Sequence, residues 1–182
     1  ALKMQEAVAK IHAIHDGVLA GITSPAERTL ATADVVLLHT ALDSALRDVA
    51  KAGSLSNRDS DRIVATGEKS MSVMMAATLR SRGTPAVHVF ADSVIGTDDR
   101  FGSARPDRQR TREQAAQHVL PHLAAGKTVV MTGFIGGAPD GSTTTLGRGG
   151  SDYSATLLGA ALDAHEVQIW TDVPGVLSAD PR

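Results

Sequence analysis

The chain has 182 residues, of which 42% are hydrophobic and 21% charged, a composition typical of one globular domain. The formal net charge is -2 and the sequence has no run of Lys or Arg, so it offers no basic surface for nucleic acid or an anionic membrane. Cysteine is absent, which excludes disulfides and thiolate catalysis, and no apolar run approaches the ~20 residues of a membrane span. With no signal-like N-terminal segment, a cytoplasmic protein is expected.

Three long helices are predicted in the first half of the chain, because apolar side chains recur there at helical spacing. They cover residues 2–19, 26–49 and 61–81. The third helix carries Glu68 directly after Gly67, at the edge of an apolar surface. Glu68 is a candidate ligand for a cationic amine, although the local sequence alone favours a solvated helical glutamate.

The second half of the chain alternates helices with strands. Apolar and β-branched runs predict strands over residues 85–91, 128–131 and 166–171, and helices are predicted over residues 111–125 and 152–164. This alternation predicts an α/β fold with a largely parallel sheet. Ligands bind beyond the carboxyl ends of the strands in such sheets, so the loops after the second and third strands are expected to open at the active edge. Three strands are few for a complete α/β domain.

A glycine-rich stretch, residues 133–152, joins the second strand to the last predicted helix. Glycines let backbone N–H groups approach an anion closely, and the N-terminus of the following helix adds a partial positive charge. The stretch also carries four consecutive hydroxyl residues, 142–145, which could line a polar pocket, and Arg148, whose planar guanidinium binds carboxylates in bidentate fashion. We predict a phosphate and substrate site here, with a surface loop that binds nothing as the alternative.

Common catalytic templates do not fit this stretch. Gly136 and Gly141 have the glycine spacing of a Walker loop, but Ser142 stands where that motif has lysine. The third glycine of the dinucleotide-binding fingerprint is missing as well, and no GxSxG motif supports a serine hydrolase. If the stretch binds phosphate, it is a phosphate loop of a different type.

Two histidine pairs have spacings that could place both rings on one helix face, His12 with His15 and His118 with His122. Neither pair has a neighbouring carboxylate pattern such as HExxH, and a metal site needs more ligands than two. We therefore interpret all four as surface residues and assign no metal-ligating residue.

Long ordered motifs in residues 132–182, namely TGFIGG, TTTLGRGGSDYSATLLG, IWTDVPGV and ADPR, resemble those of the aspartate kinases, a branch of the amino-acid kinase family. Upstream, TGEKS at residues 66–70 is similar to the family's Gly-Glu segment. DDRFGSARPD at residues 98–107 is similar to a loop of the lysine-sensitive aspartate kinases. The resemblance covers residues 61–182. Residues 1–60 agree with the family only in that they are predicted to be helical.

The resemblance implies a three-layer αβα sandwich, with residues 1–182 as one partial catalytic domain of the amino-acid kinase fold. It also implies that the domain is incomplete at both ends. The family's KFGG segment, which carries a catalytic lysine, and its C-terminal ACT regulatory domains have no counterpart in this sequence. We expect little or no kinase activity from these residues alone, because the loss of one strong electrostatic stabiliser can cost ~10²- to 10³-fold in rate.

The resemblance also implies roles for individual residues. Arg148 binds a carboxylate of aspartate and Glu68 its amino group, while Asp152 lies near the reacting phosphate and positions the family's lysine. Further substrate contacts are implied at Thr145, Gly149 and Gly150. The residues implied to border the phosphates or to hold the nucleotide are Gly133, Gly136, Gly137, Ser151, Thr171, Asp172 and Arg182.

The implied reaction transfers the γ-phosphoryl group of ATP, with Mg²⁺ on its phosphates, to the β-carboxylate of L-aspartate. A carboxylate is already a nucleophile at pH 7, so the reaction needs alignment and charge neutralisation and no general base. A homo-oligomer is expected for the full-length protein. Two alternatives stay open, a non-catalytic module that binds aspartate or nucleotide and another amino-acid kinase.

Overall fold

The computed structural model describes residues 2–170, which form six α-helices, one short 3₁₀ helix (Ala91–Ser93) and four short strands. No helix in this range is long and apolar enough to cross a membrane. The elements in chain order are α1 (Leu2–Ala20), α2 (Pro25–Ala52), α3 (Asn57–Ser81), β1 (Ala86–Val89), α4 (Arg108–His118), α5 (Leu120–Ala124), β2 (Thr128–Met131), β3 (Ile135–Gly137), β4 (Thr143–Thr145) and α6 (Gly150–Ala161). All five predicted helical segments are confirmed, although the fourth is divided into α4 and α5.

Capping side chains explain where the helices begin. The Ser56 Oγ accepts a hydrogen bond from the Asp59 N–H at 3.1 Å, so α3 begins four residues earlier than its apolar pattern predicts. Asp107 likewise accepts from the Arg110 N–H at 3.0 Å at the start of α4. The break between α4 and α5 falls at Val119, two residues before Pro121, because proline has no N–H and restricts the residue before it.

The strands form two separate two-stranded sheets, a parallel pair and an antiparallel hairpin. β1 and β2 run parallel, with Ala86 opposite Thr128 and Val89 opposite Met131. β3 and β4 pair in antiparallel fashion inside the glycine-rich stretch, where the sequence predicted only a loop. Residues 166–170 form no strand, which corrects the prediction of a strand at 166–171. Strand formation depends on a neighbouring strand, and the Trp170 side chain is 90% exposed.

Helices cover both faces of the parallel pair, as the three-layer prediction requires. On one face, Val73 and Met74 of α3 pack with residues of α1 and α2. On the other face, Val89 of β1 packs against Ala115 of α4, together with partly buried residues of α6. A third apolar cluster joins α3 to the β3–β4 hairpin and to α6, and Ala65 of α3 lies within it. This third cluster lies beneath the glycine-rich stretch.

A histidine cluster joins α1 to α2, which corrects the interpretation of His12 and His15 as surface residues. His15 is buried, with 5% of its surface exposed, and its Nδ1 lies 2.8 Å from Nε2 of His39. The His12 ring stacks on the His39 ring with 3.8 Å between centroids. The i, i+3 spacing of the first pair was visible in the sequence, but the partner on α2 is 24 residues away from His15.

This cluster predicts that the fold loses stability as the pH falls. Burial, and after it the charge of His12, lower the pKa of His15 and His39 below 6.5, while Asp16 opposes the shift at both and Asp43 at His39. The folded state therefore holds fewer protons than the unfolded state just below pH 6.5, and stability is complete above that pH. Urea midpoints at pH 7.5 and 5.5 measure the loss. His39→Gln should reduce the difference between them, and equal midpoints in the wild type would contradict this account.

Candidate active site

The carboxyl ends of β1 and β2 meet at one edge of the fold, because the two strands are parallel. Thr132, the residue after β2, is buried there, and its Oγ1 accepts a hydrogen bond from the Ala91 N–H at 2.8 Å. This contact fixes the two strand ends relative to each other. The glycine-rich stretch begins at the next residue, Gly133, so the structure places its start at the edge where ligands bind in α/β sheets.

The start of the stretch lies against the N-terminus of α6. A Cβ atom on Gly133 would lie 3.2 Å from the side chain of Ser151, so only glycine fits here without displacement. Gly150 is equally confined, since a Cβ there would lie 3.2 Å from Phe134 and from Leu146. Three of the predicted site residues, Gly133, Gly150 and Ser151, are therefore brought together.

The N-terminus of α6 is open to an anion. Gly149 is the N-cap with φ +74°, and Ser151 is the second residue of the helix. Within residues 2–170, the backbone N–H groups of Ser151 and Asp152 have no acceptor, as expected in the first turn of a helix. Donors of this kind, together with the helix dipole, favour the binding of a phosphate or carboxylate.

Arg148 and Asp152 are both exposed at this end of α6. Arg148 stands between Gly147 and Gly149, whose φ values of +77° and +74° turn the chain sharply on either side of it. Asp152 lies in the first turn of the helix. The same short segment therefore presents a guanidinium, a carboxylate and backbone donors that have no acceptor among the described residues.

Glu68 lies on the face of α3 that contacts the end of β4. It is half-buried and follows Asp61 by seven residues, two helical turns, so both side chains project from the same face. Asp61 contacts Thr145, and Ala65, between Asp61 and Glu68, packs in one cluster with Leu146. The structure thus directs the Glu68 face towards the stretch that carries Arg148.

Gly136 and Gly137 are explained by packing and not by an open phosphate cradle. Both are buried in β3, and a Cβ on Gly137 would lie 2.0 Å from the Asp92 carbonyl oxygen. A Cβ on Gly136 would lie 2.6 Å from the Thr97 side chain. The Gly137 N–H donates to the Ile95 carbonyl at 2.8 Å, so this donor is already used within the fold.

The threonine hydroxyls of β4 also make contacts within the protein, and Thr143, together with Ser142, lines a polar pocket as the sequence suggested. Thr144 Oγ1 lies 2.7 Å from Thr97 Oγ1, and Thr145 Oγ1 donates to Asp61 at 2.7 Å. Thr143 Oγ1 donates to Asp92 Oδ2 at 2.6 Å, and the same carboxylate oxygen pairs with Lys69 Nζ at 2.5 Å. These contacts hold β4 against α3 and against the residues after β1.

Asp61, Lys69 and Asp92 were not singled out from the sequence. Their partners are distant along the chain, for example 84 residues from Asp61 to Thr145, so no local motif marks them. The helical spacing of Asp61 and Glu68 was the one available signal. Three predicted nucleotide residues, Thr171, Asp172 and Arg182, lie outside the described residues.

Comparison with known proteins decides the family. The profile of the amino acid kinase family matches residues 4–182, almost the whole chain. The chain belongs to the amino acid kinase family. The mixed α/β architecture with helices on both faces is therefore the amino acid kinase fold, in agreement with the predicted fold class.

Several relatives within this family are aspartate kinases. The chain is 48% identical over 122 residues to the lysine-sensitive aspartokinase 3 of Escherichia coli. The aligned region covers 67% of this chain and 27% of that protein. It is 41% identical over 157 residues to an aspartate kinase of Pseudomonas fluorescens, which covers 82% of this chain and 37% of that protein. The sequence thus spans about a third of the length of these curated relatives.

Solved structures agree with this placement in the amino acid kinase family. The E. coli aspartokinase III in complex with aspartate and ADP, an R-state structure, matches with a TM-score of 0.86 and 36% identity. The match covers 94% of this chain and 37% of that one. The same enzyme in complex with lysine and aspartate, a T-state structure, matches with a TM-score of 0.82 and 37% identity.

Proposed function

We propose that these residues form the acceptor and phosphate site of an aspartate kinase, which transfers the γ-phosphoryl group of ATP to the β-carboxylate of L-aspartate. The observation that carries the proposal is the segment Gly147–Asp152, where an exposed arginine adjoins helix N-terminal N–H groups that have no acceptor within residues 2–170. A substrate with carboxylates that must meet a phosphoryl group fits both features. The similarity to aspartate kinases supports the choice of amino acid.

The acceptor is held by opposite charges in this proposal. Arg148 binds a carboxylate of aspartate through its two-pronged guanidinium, which fixes the orientation of the substrate as well as its charge. Glu68, on the α3 face that contacts the end of β4, binds the ammonium group. A further contact comes from the backbone of Gly149, and Gly150 and Thr145 border the acceptor site. Both donors of Thr145, its N–H and its hydroxyl, are already directed at Asp61, so neither donates to the substrate.

The phosphoryl group lies over the start of α6. The N–H groups of Ser151 and Asp152 donate to its oxygens, and Gly133 keeps the approach free of side chains. A β-carboxylate oxygen attacks the γ-phosphorus as the bond to the β,γ-bridging oxygen breaks, and ADP leaves with that electron pair. Asp152 positions the catalytic lysine that the resemblance implies for the family, and this lysine faces the transferred phosphoryl group. No proton has to move, because the carboxylate is ionised at pH 7.

ATP and Mg²⁺ are part of the proposal. The free N–H groups at α6 fit the phosphates of a nucleotide, and Thr171, Asp172 and Arg182 remain the residues predicted from sequence to hold the rest of it. Mg²⁺ neutralises the phosphate oxygens and enters with ATP, since it is commonly bound through substrate phosphates. We assign no metal-ligating residue in this chain. A cytoplasmic location and a homo-oligomeric state also stay predictions.

A substrate panel tests the proposed function. We expect the protein, as its complete gene encodes it, to release ADP from Mg·ATP in the presence of L-aspartate. L-glutamate, N-acetyl-L-glutamate and uridine monophosphate should support little or no release. Equal release with all four would contradict the proposal, and aspartate binding without ADP release would favour a binding module.

A further inference from the structure

The buried carboxylate of Asp61 joins three parts of the fold. Only 2% of the Asp61 surface is exposed. Its Oδ2 accepts hydrogen bonds from the Gly102 N–H at 2.8 Å and from the Thr145 N–H at 2.9 Å, and its Oδ1 accepts from Thr145 Oγ1 at 2.7 Å. One side chain on α3 therefore holds both the loop of residues 98–104 and the end of β4.

The two segments held by Asp61 also contact each other. The Ala104 N–H donates to the Thr145 carbonyl at 2.8 Å. At Gly147, a Cβ would lie 3.3 Å from the Ser103 hydroxyl, so the chain after β4 lies directly on this loop. Arg148 is the next residue. The position of its backbone is thus set by a chain of contacts that begins at the Asp61 carboxylate.

Stability alone does not require a carboxylate at this position. Burial of a charge costs free energy unless hydrogen bonds compensate for it, and a salt bridge would be the usual companion. Among residues 4–170, no Lys, Arg or His nitrogen lies within 4.0 Å of Asp61. The three hydrogen-bond donors to Asp61 all lie in the two segments beside the proposed site. The carboxylate therefore uses its hydrogen bonds to hold these two segments in place.

We infer that Asp61 is a positioning residue, which fixes the loop of residues 98–104 and the Arg148 segment in the geometry that binds the acceptor amino acid. It does not touch the substrate. The inference rests on the proposed function, because the acceptor is the aspartate of that reaction. Loss of the carboxylate should therefore impair aspartate binding much more than ATP binding.

Steady-state kinetics of the complete native protein test this inference. For Asp61→Ala we expect the apparent KM for aspartate to rise by ~10-fold or more, since displacement of a binding group by about 1 Å can cost up to ~10²-fold in rate. The KM for ATP should change by less than about 2-fold, because the α6 donors do not contact Asp61. Hydrogen exchange at residues 98–105 and 143–150 should speed up in the same variant.

Asp61→Asn is the conservative variant. Its amide oxygen can accept from both N–H groups, and its amide nitrogen can donate to the Thr145 hydroxyl, which reverses one hydrogen bond and keeps the shape. We expect a rise in the KM for aspartate of only about 3-fold, since neutral hydrogen bonds are about half as strong as charge-assisted ones. If the alanine variant does not fold, this smaller change decides the question, and unaltered kinetics would overturn the inference.

Glu27→Ala is the matched control for a general loss of stability. Glu27 is a partly buried carboxylate that pairs with Arg80, near the opposite end of α3, at 2.6 Å. Its removal should lower the thermal midpoint and leave the KM for aspartate unchanged. An equal rise in KM in the Glu27 and Asp61 variants would overturn the inference, as would a normal KM in a folded Asp61→Ala protein. If the wild type shows no aspartate-dependent ADP release, the proposed function itself fails.

Discussion

Replacing Arg148 by alanine is expected to raise the apparent KM for L-aspartate by ~10²-fold, with a change of less than about 2-fold in the KM for ATP. A bidentate pair between arginine and carboxylate contributes up to ~3 kcal/mol, and each 1.4 kcal/mol corresponds to about tenfold in affinity. Arg148 is exposed and has no salt-bridge partner among the described residues, so its removal leaves no buried group unpaired. Initial rates at varied aspartate and fixed Mg·ATP measure the change.

Two further variants separate the role of Arg148 from a loss of positive charge. Arg148→Lys keeps the charge but not the two-pronged geometry, and should give an intermediate KM. Arg112→Ala removes an exposed arginine that pairs with Asp163, on the surface of α4, and should leave both KM values unchanged. Unaltered aspartate dependence in Arg148→Ala would refute the substrate role of Arg148.

The second large effect is expected at Gly137, where alanine should lower the free energy of unfolding by ~3 kcal/mol or more, at the upper end of overpacking costs. A Cβ at this position would lie 2.0 Å from the backbone oxygen of Asp92, and backbone atoms cannot rotate out of the way as a side chain can. β3 would have to separate from the residues after β1. Urea unfolding followed by circular dichroism measures the loss.

Gly17→Ala is the control for Gly137→Ala, since Gly17 lies in α1 with no atom within 4 Å of a Cβ built there. Alanine in a helix is favoured over glycine by about 1 kcal/mol, so this variant should be neutral or slightly more stable. If Gly137 instead served the phosphates, its alanine variant would keep normal stability and lose affinity for ATP. That result would contradict the packing role.

Local patterns in the sequence were sufficient to predict most of the fold. The apolar periodicity of α2 and α3 and the apolar runs of β1 and β2 predict the elements that are found. Each helix buries part of its apolar stripe, Val35 of α2 and Val73 of α3 among it, although Leu30 of α2 stays exposed. Gly133, Gly150 and Ser151, predicted to lie at one site, are in contact around the start of α6. These three residues could be predicted because glycines that follow a strand and precede a helix are visible in the local sequence.

The features that could not be predicted depend on contacts distant in sequence. The β3–β4 hairpin is formed by glycines and threonines that, read locally, are typical of a loop, and its stability comes from close approach to residues 92–97. His15 is buried where α1 packs on α2, and its partner there, His39, is distant in sequence. The role of Asp61 could not be predicted for the same reason, since nothing near it in the sequence indicates that Gly102 and Thr145 are its partners.

Chemical trapping of the product tests the central claim most directly. Acyl phosphates react with hydroxylamine, so Mg·ATP, L-aspartate and hydroxylamine incubated with the complete native protein should yield aspartyl β-hydroxamate. We predict one hydroxamate formed for each ADP released, and neither product when aspartate is omitted. Aspartate-dependent ADP release without hydroxamate would mean that the phosphoryl group goes to another acceptor. That outcome, or hydroxamate formed equally from other amino acids, would contradict the assignment to aspartate phosphorylation.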